Sequence, residues 1–146
     1  MKLSTTVRYG ARAIAQLAAS PDGPVSVREI ARQQLISAKY LEHILKTLKV
    51  GGIVEAVHGK RGGYVLAKSP ESITLKDLYD VLEGSPAPVA CVDCPETCGM
   101  QDLCPTRDTW VELKEAITAV LERTTVRDLA DRQHQKALAA VPDYQI

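Results

Sequence analysis

Apolar residues recur at intervals of three and four along the first twenty residues, which is the period of a helix that buries one face. The pattern predicts a helix over residues 4–19, followed by a turn at the PDGP of residues 21–24. The apolar face of this helix holds Val7, Ala11, Ile14, Leu17 and Ala18.

Two shorter helices are expected next, each opened by a serine. Ser26 and Glu29 have the spacing of a capping box, in which the two side chains satisfy backbone groups at a helix start. Ser37 stands in a similar place before AKYLEHILKTLKV, whose apolar residues again follow a helical period, and Gly51 with Gly52 ends that helix. Two helices joined by a tight turn are typical of a helix-turn-helix unit.

The pattern then changes to simple alternation. IVEAVH and YVLA alternate apolar and polar residues, and the glycine-rich GKRGG lies between them, which predicts a two-stranded hairpin with Lys60 and Arg61 at its tip. A helix-turn-helix followed by a basic hairpin is the arrangement of a winged helix, with the hairpin as the wing.

The second half of the chain returns to helical periodicity. A short helix is expected over residues 71–84 and a long one over residues 105–123, and a bend at Thr124 and Thr125 precedes a last helical segment. The long helix has an apolar stripe formed by Trp110, Leu113, Ile117, Val120 and Leu121. This stripe can pack on its own domain or on a second copy of the chain. We favour the second copy, because a twofold operator needs a twofold protein.

Charge divides the chain into two halves, although the formal net charge is zero. Residues 1–70 carry eleven Lys or Arg and four acids, and residues 71–146 carry seven and fourteen, so the halves have charges of +7 and −7. Such asymmetry suggests a polyanion-binding part joined to a part that stays off the polyanion. The opening residues hold no long apolar run, so we expect no signal peptide or membrane span and a cytoplasmic protein.

The basic half indicates double-stranded DNA as the partner, because a recognition helix can enter the major groove while the wing contacts phosphates or the minor groove. Ser37 can contact a phosphate as well as cap its helix. Glu42 can accept from a cytosine amino group or pair with Lys46, and Tyr40 either packs on the first helix or reaches the DNA. The candidate DNA-binding residues are Ser37, Lys39, Tyr40, Glu42, His43, His58, Lys60 and Arg61. We find no nucleophile–base pair or phosphate loop, so an enzyme is not expected.

All of the cysteines fall within fourteen residues, with the spacing C-x2-C-x3-C-x5-C: they are Cys91, Cys94, Cys98 and Cys104. In a reducing compartment, clustered thiols are more often metal ligands or redox centres than structural disulfides. Four thiolates suit an iron–sulfur cluster or a structural zinc ion, and a thiol–disulfide switch is a third alternative. Pro105 favours a helix start after Cys104, where the helix dipole stabilises a thiolate.

These features together resemble the IscR/NsrR/RirA family of bacterial winged-helix transcription regulators, over about residues 1–130. The matching segments run in order: MKLSTTVRYGARAIAQLA, ISAKYLEHILKTLKVGGIVEAVHGKRGGYVLAKSPESITLKDL and CPTRDTWVELKEAI. The resemblance implies a homodimer that binds palindromic operator DNA. It also implies one iron–sulfur cluster per subunit, either [2Fe-2S] or [4Fe-4S], whose state sets the affinity for DNA.

The resemblance also bears on the cluster ligands. The family's loop cysteines match Cys91, Cys98 and Cys104, and Cys94 is a departure. Family members take the fourth ligand from a histidine three residues after the last cysteine or from an acid in the first helix. The matching positions here are Arg107 and Arg8, which cannot coordinate iron. We therefore expect Cys94 to be the fourth ligand, the alternative being a free thiol turned away from the cluster.

The predicted fold class is mainly α: a winged helix-turn-helix with a two-stranded β-wing and a long C-terminal dimerisation helix. Residues 1–84 are expected to form the DNA-binding domain, residues 85–104 the cysteine-rich cluster-binding loop, and residues 105–140 the dimerisation helix and C-terminal helix. The predicted function is a dimeric, cluster-controlled transcription regulator. The alternative is a winged-helix protein-interaction or metal-binding module with structural zinc or a thiol redox switch.

Overall fold

Serine side chains start the first three helices of the computed structural model, which describes residues 2–141. The three helices are α1 (Thr5–Ala18), α2 (Val27–Gln34) and α3 (Ala38–Val50). Ser4, Ser26 and Ser37 each accept a hydrogen bond from the backbone N–H three residues later, at the N-caps of these helices.

The turn between α2 and α3 has an unusual end residue. Leu35 ends α2 in the left-handed conformation, with φ of 54°, at a position where glycine is the common choice. Its side chain is 90% exposed, whereas the next residue, Ile36, is buried. The chain therefore turns sharply into α3 without a glycine, which completes the helix-turn-helix.

The core lies where α1, α2 and α3 pack on one another and on the wing. The apolar spacing of the sequence accounts for its content, because the side chains that recur at helical period are those with no exposed surface. The fully buried large residues of the three helices are Ile14, Ile30, Leu41, Ile44, Leu45 and Leu48.

The wing is a two-stranded antiparallel sheet of β1 (Val54–Val57) and β2 (Gly63–Leu66), in which Val57 lies opposite Gly63. An isolated β-bridge also joins Val25 to Tyr64 of the wing through two backbone hydrogen bonds of 3.0 and 2.9 Å. The sequence pattern did not indicate this bridge, because one paired residue leaves no alternation to detect.

Within the described residues, four α-helices follow the wing: α4 (Leu75–Leu82), the single turn α5 (Ala90–Asp93), α6 (Arg107–Arg123) and α7 (Val126–Ala139). α4 is shorter than the predicted residues 71–84, because Thr74 and Asp77 form a capping box there and residues 70–72 form a 3₁₀ turn. α5 was not predicted. The mainly α winged-helix fold class is confirmed. Within residues 2–141, none of the helices has the length and apolar character needed to span a membrane.

The bend between α6 and α7 is present where the sequence predicted it, and it is tied to the start of α4. Thr125 caps α7 in a second capping box. The Leu75 N–H donates to the Thr124 carbonyl and the Val126 N–H to the Ile73 carbonyl, both at 2.8 Å. α7 then packs along α1. The joint between α6 and α7 is therefore fixed to the winged-helix domain by two backbone hydrogen bonds.

Candidate DNA interface and cysteine loop

The outward face of α3 is mostly polar, because four of its large apolar residues lie in the core and Val50 is exposed only at the end of the helix. The Ser37 Oγ accepts from the Tyr40 N–H at 3.2 Å, and the Ser37 side chain is exposed. Glu42 and Lys46 form an exposed ion pair of 3.2 Å across one turn. The exposed face contains the predicted residues Ser37, Lys39, Glu42 and His43, and it continues with Lys46 and Lys49.

Tyr40 is half-buried and packs on α1. Its hydroxyl lies 2.8 Å from the Thr6 hydroxyl, and its ring meets the ring of Tyr9 edge-on with centroids 5.9 Å apart. Tyr40 therefore packs on the first helix, which is one of the two alternatives that the sequence left open. Because the Tyr40 hydroxyl is near the start of α3, it also anchors the recognition helix against the first helix.

The tip of the wing presents two basic side chains. The Gly62 N–H donates to the Gly59 carbonyl at 3.1 Å, so Lys60 and Arg61 are the two central residues of a tight turn. Gly59 has φ of 121°, a backbone conformation that side chains other than glycine rarely adopt. Lys60, Arg61 and the neighbouring His58 are all exposed. The turn therefore projects both charges beyond the paired strands.

The cysteine loop connects α4 to α6 and has little regular structure. Cys91 lies in α5 and Cys94 ends it, with the Cys94 N–H donating to the Ala90 carbonyl at 3.0 Å. All four cysteines are free thiols, with Cys94 exposed and the other three partly exposed. Within residues 2–141, no three His, Cys, Asp or Glu side chains are gathered as metal ligands. A metal centre here would therefore require the thiols to move together.

Cys104 lies in an environment that favours a thiolate. The hydroxyl of Thr106 lies 3.4 Å from its sulfur. This contact, the backbone N–H groups of Thr106 and Arg107, and the Arg107 charge together hold the pKa of Cys104 below its ordinary value. The sulfur lies just before α6, close to where the sequence placed it, although the helix starts at Arg107 and not at Pro105. This site favours a deprotonated sulfur, which is the form that binds metals.

The loop is attached to α6 by one ion pair. Lys114 donates to Asp93 at 2.6 Å, and both side chains are about two-thirds buried, with 33% and 31% of their surfaces exposed. The contact with Lys114 lowers the pKa of Asp93, with a smaller contribution from Ser85. Because Asp93 lies between Cys91 and Cys94, this pair holds the first two thiols beside α6.

The donor set of the loop suits the metal centre that the family resemblance implies. Four free thiols supply the ligands that iron–sulfur clusters use. In addition, the Arg107 Nε is buried without a hydrogen-bond partner, so a residue three positions after Cys104 holds an N–H donor without an acceptor. An anionic sulfur centre would provide such an acceptor. We take these residues as compatible with a bound cluster.

The apolar stripe of α6 is mostly uncovered. Only Leu121 of the stripe is buried, whereas Leu113 and Val120 are 37% and 46% exposed. Ile117, Val120 and Leu121 line an open cleft of about 860 Å³ together with Leu3 of the N-terminal segment. α6 packs on α4 and α5, and the greater part of its stripe does not reach the core of its own domain.

Sequence reasoning missed several residues of these surfaces. Lys46 and Lys49 were placed on this helix by the sequence but not among the candidate DNA-binding residues, and they share the exposed face of α3. The pairing of Asp93 with Lys114 had no such signal, because the two residues are 21 positions apart and meet only after folding. The unpartnered Arg107 Nε had no sequence signal either, because its burial arises only after folding.

A winged helix with a basic recognition surface belongs to the class of winged-helix transcriptional regulators. The family model of Rrf2, described as an iron-dependent transcriptional regulator, matches residues 3–132. The chain therefore belongs to the Rrf2 family of transcriptional regulators, and the resemblance to the family of IscR is confirmed.

Named relatives agree with this assignment. The transcriptional regulator CymR of Bacillus subtilis is 37% identical over 131 residues, covering 89% of this chain and 90% of CymR. The solved structure of CymR (YrzC), the global cysteine regulator of B. subtilis, matches with a TM-score of 0.78 at 36% identity, covering 90% and 98% of the two chains. The solved IscR of T. potens matches with a TM-score of 0.78 at 33% identity, covering 93% and 90%.

Proposed function

We propose that this chain is a homodimeric regulator that binds palindromic operator DNA, with an affinity set by an iron–sulfur cluster on the cysteine loop. The observation that carries the proposal is the loop of four free thiols, which leads into α6 and is attached to it through Asp93 and Lys114. The far end of α6 is tied to the DNA-binding domain. The proposed parts are residues 1–84 for DNA, 85–104 for the cluster and 105–140 for dimerisation.

DNA binding is assigned to α3 and the wing tip. Lys39, Lys60 and Arg61 are exposed and can neutralise phosphates, and Ser37 offers a helix N-terminus to a phosphate. Glu42 and His43 lie on the same face and are proposed to read or exclude bases, while His58 lies next to the wing turn. Tyr40 is proposed to hold α3 in place and to direct its hydroxyl to the DNA backbone.

The dimer is assigned to α6. A second copy is the proposed occupant of its exposed stripe, because an operator with twofold symmetry is matched by a twofold protein. The apolar cleft below the stripe supports this choice, since exposed apolar surface rimmed by polar groups marks interaction sites.

The cluster is assigned to Cys91, Cys98 and Cys104, with Cys94 as the fourth ligand. A bound cluster supplies a centre that responds to oxidation, to iron supply or to small gases. The chain's own residues connect the cluster to the DNA-binding domain. Gathering the thiols moves α5 and the start of α6, and the joint at Thr124 connects α6 to the DNA-binding domain.

The test compares cluster-loaded and cluster-free protein. Protein purified without oxygen is analysed for visible absorption, iron and sulfide, and the affinity of both forms for operator duplex is measured over a range of salt concentrations. We expect a coloured protein with iron and sulfide, a salt-dependent affinity, and a difference in affinity between the two forms.

Three outcomes would replace parts of the proposal. Zinc in place of iron and sulfide, after expression with iron supplied, would favour a structural metal site. Equal DNA affinity of the two forms would remove control by the cluster, and a dependence on reductant alone would then favour the thiol switch. No binding to duplex DNA by either form would favour a protein-interaction module.

A further inference from the structure

Arg107 begins α6 three residues after Cys104, and its Nε–H is buried without a hydrogen-bond partner. No other buried side-chain nitrogen or oxygen within residues 2–141 is in this condition. Buried polar groups in native proteins are nearly always hydrogen-bonded, so an exception points to an acceptor that the polypeptide alone does not supply.

The surroundings of Arg107 connect it to both ends of the cysteine loop. Its side chain lines a cleft with Val92, which follows Cys91, and with Val111 one turn along α6. At the other end, its backbone N–H donates to the carbonyl of Cys104 at 3.4 Å. Arg107 therefore contacts the backbone of the last cysteine and shares a cleft with the residue that follows the first one.

The neighbouring charges do not satisfy Arg107. Lys114 also lines the cleft, and it forms an ion pair with Asp93. Glu115 and Glu122 line the same cleft. In the part of the chain that the structure describes, Arg107 forms an ion pair with neither of them.

We propose that Arg107 is a positioning residue for the cluster, whose Nε–H donates to a sulfur of the centre held by Cys104. The inference rests on the proposed function and adds a group that is not a ligand. Arginine stays protonated and offers five N–H donors in a fixed plane, so it cannot bind iron but can donate to an anionic sulfur. Such hydrogen bonds and the adjacent positive charge stabilise the reduced, more negative state of the centre and raise its reduction potential.

The experiment measures the reduction potential of the full-length protein loaded with its cluster under anaerobic conditions. Arg107→Gln removes the charge, and Arg107→Lys keeps the charge without the planar donor. Arg123→Gln makes the same change at an exposed position at the opposite end of α6, about 24 Å away at 1.5 Å per residue. All three variants and the wild type are titrated by visible absorption against redox mediators.

We expect a more negative potential in Arg107→Gln, an intermediate value in Arg107→Lys, and the wild-type value in Arg123→Gln. A tenfold change in the ratio of reduced to oxidised cluster corresponds to about 59 mV for a one-electron couple. If Arg107→Gln does not hold a cluster, Arg107→Lys decides: an intermediate potential supports the inference, and a wild-type potential overturns it.

Other outcomes separate this inference from the proposed function. A loaded wild type whose potential matches that of Arg107→Gln overturns the role of Arg107 and leaves cluster binding intact. A weaker dimer in Arg107→Gln with an unchanged potential assigns the arginine to the partner subunit and also overturns the inference. A wild type without iron and sulfide removes the cluster and, with it, both proposals.

Discussion

A methyl group added at Gly63 would stand 2.3 Å from the carbonyl oxygen of Val25. Neither backbone can give way, because the two segments are hydrogen-bonded through Tyr64. We expect Gly63→Ala to lower the free energy of unfolding by about 1–3 kcal/mol, the usual cost of overpacking. Urea unfolding of the cluster-free protein measures it. Gly99→Ala is the matched control, since no heavy atom lies within 4 Å of its added methyl. Equal stability of the two variants would contradict this account of the wing.

Cys94 is the residue on which the ligand set depends. If it is the fourth ligand, Cys94→Ala purified without oxygen loses or changes the visible absorption, as do the single alanine variants of Cys91, Cys98 and Cys104. The reason is that three thiolates leave one iron position open. Full retention of the wild-type spectrum in Cys94→Ala alone, with no chromophore in the other three, would show that Cys94 is a free thiol.

At the scale of elements, the wing tip carries a part of the DNA affinity that does not depend on sequence. Replacing Lys60 and Arg61 with alanine is expected to weaken binding to every duplex and to reduce the slope of log K against log salt by roughly 0.9 for each phosphate that is no longer neutralised. Arg132→Ala with Lys136→Ala removes two exposed charges from α7 as a control. An unchanged slope in the wing variant would exclude the wing from the interface.

The uncovered stripe of α6 makes a prediction for the dimer. Leu113→Glu or Ile117→Glu is expected to produce monomers, because burying an unpaired charge is strongly unfavourable. Leu138→Glu makes the same change at a leucine of α7 that is 61% exposed, and it should remain dimeric. Light scattering with circular dichroism distinguishes folded monomers from unfolded protein. Folded dimers in the α6 variants would mean that the second copy binds elsewhere.

The elements differ in how far the sequence could predict them. α3 and α6 were predicted because their apolar residues follow a helical period, and the wing because alternation is interrupted by glycines. α5 was not predicted, since a single turn is too short to show a period. The candidate DNA surface was largely predictable from charge. The packing of Tyr40 on Tyr9 and the attachment of the cysteine loop through Lys114 were not predictable in detail, because they join residues far apart in sequence.

At the scale of the whole molecule, several carboxylates link stability to pH. The Arg127 side chain lowers the pKa of Glu71, and the Thr125 backbone N–H lowers that of Asp128. A lowered pKa in the folded state contributes stability above the unfolded value, which is 4.5 for Glu and 3.8 for Asp. This stability is lost as the pH falls further.

We therefore expect the melting temperature of the cluster-free protein to fall with decreasing pH below about 4.5. Asp128→Asn should lose part of this dependence, because the charged cap of α7 is gone. Asp131→Asn changes an exposed acid of the same helix that makes no capping hydrogen bond, and it should keep the wild-type profile. Identical profiles for the two variants would show that the cap does not contribute.

The two hydrogen bonds between residues 73–75 and 124–126 have a consequence for local unfolding. They bring together two points of the chain about fifty residues apart. α4 lies between these points and packs on α1 and α3, so the cysteine loop and α6 form the segment that leaves the end of α4 and returns to its start. This segment, whose two ends are held at the domain, can open as a unit without breaking the helical core. A segment that exchanges its amide protons while α1 to α3 stay protected can acquire or lose a metal centre without exposing the rest of the protein to aggregation or proteolysis.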